Sequence, residues 1–282
     1  MDGMALVEHE FHFISGLPRS GSTLLSAILG QNPRFHTGVT TPVSGIVSAV
    51  LAQCSAGGEF ALMVSTEQRR AMARAVFDSF YAGCERPVVF DTNRGWTAQM
   101  PLLMDLFPNA KVLACVRNLG WVMDSLERLY RANPYEQTKL FGSDSERATV
   151  LSRVDALGQH NRMVGAPWSA LKEAFYGDQG QSILVIDYDI LAQQPAQVME
   201  LIYGFLGEDP YPHDYDNISF ETPDYDIPMG LPGLHTVRPT VSLQTRPTVL
   251  PPDLFDQYAK LSFWLDDTPA SRCGVLRIRD GD

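Results

Sequence analysis

At 282 residues the chain is long enough to bury a full core as one large α/β domain or two small ones. Its 22 Lys and Arg against 33 Asp and Glu leave a net charge of −11, which argues against nonspecific binding to nucleic acid, because that needs a basic surface. No apolar run reaches the roughly 18–20 residues that span a bilayer, and the start Met1-Asp2-Gly3-Met4 has neither the basic region nor the long apolar stretch of a signal peptide. A cytoplasmic protein with no membrane partner is therefore expected. The cysteines, Cys54, Cys84, Cys115 and Cys273, show no C-x-x-C spacing and read as free thiols in a reducing compartment.

Along the chain, short apolar runs alternate with helical patterns, the signature of a parallel sheet covered by helices. The runs at 11–15, 87–91, 111–116 and 182–187 are predicted strands. Helices are predicted at 21–31 and at 66–81, the latter with Thr66 as cap and Arg69, Arg70 and Arg74 on its polar side. Further helices are expected at 97–107, stopped by Pro108, and at 118–131, stopped near Pro134. Residues 145–175 hold one or two helices interrupted around 165–167. The last two are expected at 190–206 and 251–265, the latter with proline at its start. The stretch 207–250 is rich in Pro, Gly, Asp and Tyr and lacks periodicity; it is expected to be an irregular, functional loop. With no repeat and no low-complexity tract, the whole of 1–282 reads as a single domain.

The densest chemistry lies between the first strand and the first helix, at Gly16-Leu17-Pro18-Arg19-Ser20-Gly21-Ser22-Thr23. A glycine loop feeding a helix start aims backbone N–H groups and the positive end of the helix dipole at one anion. The spacing fits G-x-x-x-x-G-K-[ST] except that Ser22 stands where the lysine of a nucleoside-triphosphate site belongs, so Arg19 is the loop's cation. No Mg²⁺-binding aspartate stands out beyond Asp91 and Asp187. A second cluster follows the strand at 111–116. Arg117 stands at its carboxyl end, where parallel sheets place ligands, and Ser125 lies eight residues on. Together they are candidates for a second phosphate.

Three stretches in this order resemble the sulfotransferase superfamily, whose donor is 3′-phosphoadenosine-5′-phosphosulfate (PAPS). Pro18-Arg19-Ser20-Gly21-Ser22-Thr23 is similar to the 5′-phosphosulfate loop P-[KR]-[ST]-G-[ST]-[ST], and its arginine is similar to that of the tyrosylprotein branch and many bacterial members. Arg117 and Ser125 resemble the R-x₇-S pair that holds the 3′-phosphate. The run 183–191, with Tyr188, is similar to the family's strand ending in Y-[ED]-D-[LM] and would set Tyr188 near the adenine. The likeness spans about 11–206 and implies a P-loop-containing fold working without a metal. It also implies sulfuryl transfer to a hydroxyl or amine of a small molecule or peptide, with adenosine 3′,5′-bisphosphate as product. Arg19 would hold the bridging oxygen and the charge on the departing phosphate.

The resemblance leaves the general base open. Where cytosolic members carry K-T-H, this chain has Asp91-Thr92-Asn93-Arg94, and the glutamate of the tyrosylprotein branch is replaced by Val39-Thr40-Thr41 after Gly38. Asp91 is the expected base, against a role as a strand-end carboxylate paired with Arg94 or Arg117, which would weaken it as a base; His36 is the fallback. The family places its acceptor pocket after the first helix, here 37–48, and around 131–155, with Tyr130, Tyr135 and Phe141 near. Arg238 and Arg246 are candidates for a C-terminal loop over the 3′-phosphate, although R-K-G is missing, and His235 could face either substrate or be structural. The acidic run Asp214, Asp216, Glu221, Asp224 and Asp226 is either a solvated loop or a preference for a cationic or peptide acceptor. Two other readings stand beside this one: a divergent ATP-dependent kinase, and a non-catalytic binder of 3′-phosphoadenosine nucleotides.

Overall fold

The computed structural model describes residues 8–55, 59–220, 226–266 and 271–276. Met1 to Met4, and Glu221 and Asp224 of the acidic run, lie outside them. Six strands form one sheet: β1 (Glu10–Gly16), β2 (Phe35–His36), β3 (Val88–Thr92), β4 (Val112–Val116), β5 (Ile183–Asp187) and β6 (Gly274–Val275). Their order is β2-β3-β1-β4-β5-β6, with every pairing parallel.

The helices are α1 (Ser22–Leu29), α2 (Val43–Cys54), α3 (Thr66–Phe80), α4 (Met100–Leu106), α5 (Leu119–Ala132), α6 (Asp144–Arg147), α7 (Val150–Gly158), α8 (Gly165–Tyr176), α9 (Tyr188–Gln193), α10 (Pro195–Leu206) and α11 (Pro252–Ala259). Between α10 and α11 the described residues form neither helix nor strand.

The strands are apolar along their whole length because both faces are covered. On one face Phe11, Phe13, Val89, Val112, Ala114, Val116 and Val185 pack against residues of α3, α4, α5, α7, α8 and α11. On the other, Ile14, Val88, Phe90, Leu113, Cys115 and Ile186 pack against α1 and α10. The period of two assigns alternate residues of each strand to opposite layers.

Several sequence expectations change. β2 and β6 were not expected: two residues at a sheet edge carry no alternation to read. The cap of α3 is Ser65, whose hydroxyl accepts from the Gln68 N–H while the Ser65 N–H donates to Gln68 Oε1; Thr66 is the first helical residue. The stretch 145–175 holds three helices, and its longest break lies at 159–164, ahead of Gly165. The first residue of α8 is a glycine because a Cβ at Gly165 would stand 2.1 Å from the Gln159 carbonyl oxygen. Pro195 starts α10 and ends α9, since a proline is tolerated in a first helical turn but not inside one.

His12 in β1 is 1 % exposed, and its Nδ1 accepts the Lys111 N–H at 3.1 Å. Burial, reinforced by the Lys111 charge, lowers its pKa from 6.5 to about 4. The folded state therefore takes up the proton at lower pH than the unfolded chain does, and stability falls as pH drops from 6.5 toward 4. Acid unfolding monitored by circular dichroism should show a loss of up to about 3 kcal/mol over that window. In His12→Gln, whose amide oxygen can still accept from Lys111, this component should vanish.

Candidate active site

The strand order itself selects a place for a ligand. After β1 the chain leaves toward β2 and β3, and after β4 it leaves the other way, toward β5. The carboxyl ends of β1 and β4 thus flank a topological switch point, where the outgoing loops part and leave a crevice. The Gly16–Gly21 loop follows β1, Arg117 and Asn118 follow β4, and Tyr188 follows β5. One pocket is lined by Pro18, Arg19, Gly21, Ser22 and Thr23 from the loop, with Arg117, Ser125 and Tyr188 beside them. Thr40, Thr92, Arg94 and Met163 line it as well, and the late segment closes it with 234–238, Gln244 and Arg246.

The loop's glycines answer to contacts. At Gly16, φ is 107°, and a Cβ would stand 2.1 Å from the Cys115 carbonyl oxygen of β4; the next N–H, of Leu17, donates to that oxygen at 2.8 Å. Gly21 adopts φ 89° as the cap of α1, and a Cβ would reach the Tyr188 ring at 2.7 Å. It offers α1 no side-chain cap, so the helix start, with its positive dipole, faces the pocket. Arg19 is the one non-glycine with positive φ among the described residues, at 57°, a conformation that costs about 1 kcal/mol or more and concentrates at functional sites.

That backbone strain aims the Arg19 side chain across the pocket. Its Nε donates to Ser125 Oγ at 3.1 Å, and its guanidinium also donates to the Leu234 carbonyl. Burial lowers its pKa; the charges of Arg246 and Arg117 push the same way, and Asp226 and Tyr188 push back. A guanidinium that stays charged under these conditions is a fixed cation in a poorly solvated place. The sequence pairs Ser125 with Arg117, but the structure gives Ser125 to Arg19. Arg117 Nε donates to Asp189 at 3.1 Å, and its guanidinium stacks 4.4 Å above the Tyr188 ring. Asn118 caps α5 by accepting the Gly120 N–H at 2.9 Å, which fixes the turn that carries Arg117. Ser20 is buried, and its hydroxyl donates to the Pro18 carbonyl, so its side chain braces the loop.

The late segment is held on α5 by a buried carboxylate. Asp124 accepts from Arg128 and Arg246 through one oxygen, and from the Thr248 hydroxyl and the Val249 N–H through the other. Burial pushes its pKa up, but these bonds outweigh that and hold it below the usual range. Arg246 is thereby fixed at the pocket wall. Arg238 lines the pocket with an exposed side chain.

The carboxylate expected to act as base is not brought to the pocket. Asp91 shares a sheet face with Val89, and there it is fully buried, accepting from Tyr81 Oη at 2.6 Å, Thr41 Oγ1 at 2.7 Å and Trp96 Nε1 at 2.7 Å. Its partners are these three, not Arg94 or Arg117 as the sequence allowed. Burial raises its pKa despite the three donors. His36 lies half-buried in β2 with its ring 5.5 Å from Tyr81 and does not line the pocket. Of the acceptor residues expected, Thr40 lines the pocket, whereas Tyr135 is exposed and Phe141 is in the core.

Residues to which the sequence reading gave no place in the site complete the wall: Thr92 at the end of β3, Arg94 just after it, Met163 and Leu234. Position at a strand's carboxyl end was the available signal for the first two, and Leu234 lies in the irregular stretch expected to be functional; nothing local marks Met163. His235, read with no settled role, lines the pocket with Nδ1 2.5 Å from Asp226.

No helix among the described residues is long and apolar enough to cross a membrane. Comparison with curated proteins gives no match. Among solved structures, the sulfotransferase domain from the curacin biosynthetic pathway is 19% identical with TM-score 0.49, covering 74% of this chain and 77% of its own. The sulfotransferase domain from the Synechococcus PCC 7002 olefin synthase is 20% identical with TM-score 0.46, covering 92% and 96%. A sulfotransferase from Alicyclobacillus acidocaldarius is 18% identical with TM-score 0.47, covering 77% and 87%. The assignment rests on the family comparison: the model described as "Sulfotransferase family" matches residues 12–213, a stretch that holds the glycine loop, Arg117, Ser125 and Tyr188, and the chain belongs to that family.

Proposed function

We propose that this protein transfers a sulfuryl group from PAPS to a hydroxyl or amine of a small molecule or peptide, releasing adenosine 3′,5′-bisphosphate. The observation that carries the reading is Arg19, held by Ser125 and Leu234 at the mouth of an uncapped helix in place of a P-loop lysine. The residues fit such a donor. The pocket gathers Arg19, Arg94, Arg117, Arg238 and Arg246 in a chain of net charge −11, a concentration of cations that suits a ligand with two separate anionic groups.

In this reading the N–H groups at the start of α1, with Ser22, Thr23 and Arg19, hold the 5′ end. Arg117, Ser125 and Arg238 hold the 3′-phosphate, and Tyr188 offers a flat face to the base. Bound PAPS supplies an activated sulfuryl group on a phosphate leaving group. Arg19, already oriented and desolvated, neutralises charge that develops on that phosphate, and a donor fixed in advance needs no reorganisation. Asp189 orients Arg117 through Nε, and the Tyr188 ring supports its flat face. Asp91 acts from the core, fixing Trp96, Tyr81 and Thr41. The chain works as one domain, with 207–250 as its closing loop.

The test is thermal stabilisation by adenosine 3′,5′-bisphosphate against ADP with Mg²⁺. At a hundredfold excess over Kd the bisphosphate should stabilise the fold by about 2.7 kcal/mol, and Arg117→Ala should abolish most of that gain. Stabilisation by ADP and Mg²⁺ alone would move the protein to ATP-dependent chemistry.

A further inference from the structure

We infer that His235, oriented by Asp226, is the general base that takes the acceptor's proton; this rests on the sulfuryl-transfer reading above. Both residues lie beyond the stretch matched by the family model, so nothing in that match assigns them a role.

Three observations converge. First, the carboxylate of Asp226 grips the residue twice: one oxygen accepts the His235 backbone N–H at 2.9 Å, and the other lies 2.5 Å from Nδ1. A carboxylate only accepts, so Nδ1 carries the hydrogen, and it is then the neutral imidazole that presents its lone pair at Nε2, the tautomer a base needs. Second, His235 lines the same pocket as the glycine loop, and the residue before it gives its carbonyl to the Arg19 guanidinium. The imidazole is thus anchored one residue from the group assigned to the departing phosphate. Third, Asp91, the base expected from the sequence, does not line the pocket and is committed to three donors in the core.

The Asp226–His235 pair sits in a compact turn built for it. Gly230 and Gly233 take φ of 65° and 88°. The Leu231 N–H donates to the Asp226 carbonyl at 3.1 Å, and the Leu234 N–H donates to the Leu231 carbonyl at 3.1 Å. Leu231 and Leu234 are buried beneath the turn, and Thr138 Oγ1 donates to the Met229 carbonyl at 3.2 Å. Both side chains are largely buried, with 14 % of His235 and 12 % of Asp226 exposed. In the step, the acceptor oxygen or nitrogen bonds to sulfur while the bond from sulfur to the phosphate oxygen breaks. The bonding pair leaves with that oxygen, and the acceptor's proton passes to Nε2. Asp226 stabilises the imidazolium and is a positioning residue.

The test uses the full chain with radiolabelled PAPS and a panel of p-nitrophenol, a primary alkylamine, a tyrosine peptide and water as acceptors. His235→Ala should lower transfer at least about a hundredfold with bisphosphate stabilisation retained, and added imidazole should restore part of the rate. His235→Gln, which keeps a polar side chain, guards against collapse of the turn and should be equally slow. Asp226→Asn supplies a readout independent of turnover. Its single acceptor oxygen is held by the His235 N–H, so its NH₂ faces Nδ1 and drives the proton to Nε2. Nitrogen-15 NMR of the imidazole should report Nδ1–H in the wild type and Nε2–H in Asp226→Asn. Undiminished transfer by His235→Ala, or a wild-type imidazole protonated only at Nε2, overturns the assignment. A wild type stabilised by the bisphosphate but inert toward the whole panel overturns it too, leaving a nucleotide binder. No stabilisation by the bisphosphate overturns the donor reading, and the base assignment with it.

Discussion

Arg19→Ala is expected to lower kcat/KM for sulfuryl transfer by about 10²–10³, equivalent to about 2.7–4 kcal/mol of lost transition-state stabilisation. The arginine contributes in two ways. Its charge faces the developing phosphate charge, and its fork holds Ser125 on α5 and the Leu234 carbonyl of the late segment together. Arg19→Lys should separate these contributions. It restores a charge but not the planar fork that reaches both partners, so it should recover part of kcat while leaving bisphosphate binding weakened. Steady-state kinetics with PAPS, together with bisphosphate stabilisation for both variants, measures the split. Full activity in Arg19→Ala would remove the central element of the proposed mechanism. The fold itself should survive, because Arg19 sits in a loop at positive φ rather than in the packed layers.

Asp91→Ala is expected to cost about 4 kcal/mol of stability. Removing the acceptor strands Tyr81 Oη, Thr41 Oγ1 and Trp96 Nε1, and each unsatisfied buried donor costs about 1–3 kcal/mol. The loss would also loosen the stacked Phe77 and Trp96 rings, 5.7 Å apart, that fill the same layer. Asp91→Asn should cost less than half as much, since an amide can accept from Trp96 and donate to a hydroxyl. Urea unfolding measures both. The Asn variant should keep transfer activity within a few-fold of wild type. A well-folded Asp91→Asn with intact bisphosphate stabilisation and no transfer would return the base to Asp91 and displace His235.

These two residues mark different limits of what can be read from sequence. The place of Arg19 in the pocket was legible because its setting is local: strand, glycine loop and helix start are consecutive, and the missing lysine at position 22 singles it out. The placement of Asp91 was not legible, because standing near a strand's end says nothing about which layer its side chain enters. The alternation held the answer, since Val89, two residues earlier, belongs to the aromatic layer. Helix α2 was missed because its cap position is Pro42, with no side-chain bond to the helix, so no start signal is written there. Where the signal existed, as at Ser65 and Gln68, the expected boundary was off by one residue.

By itself, then, the sequence determined the α/β class, the four long strands, the glycine loop between strand and helix and the Arg117–Ser125 spacing. Each is carried by residues close in the chain, through apolar runs, periodicity and turn chemistry. The tertiary structure alone decided that Ser125 meets Arg19 from 106 positions away, that Asp124 straps Arg246 to the pocket, and that Asp226 turns His235 toward it. Those contacts depend on where the crossovers set the carboxyl ends of β1 and β4 and on how the late segment returns over them. Parallel strands meet through connections that no local pattern encodes, and only the packed layers fix which distant side chains share the crevice.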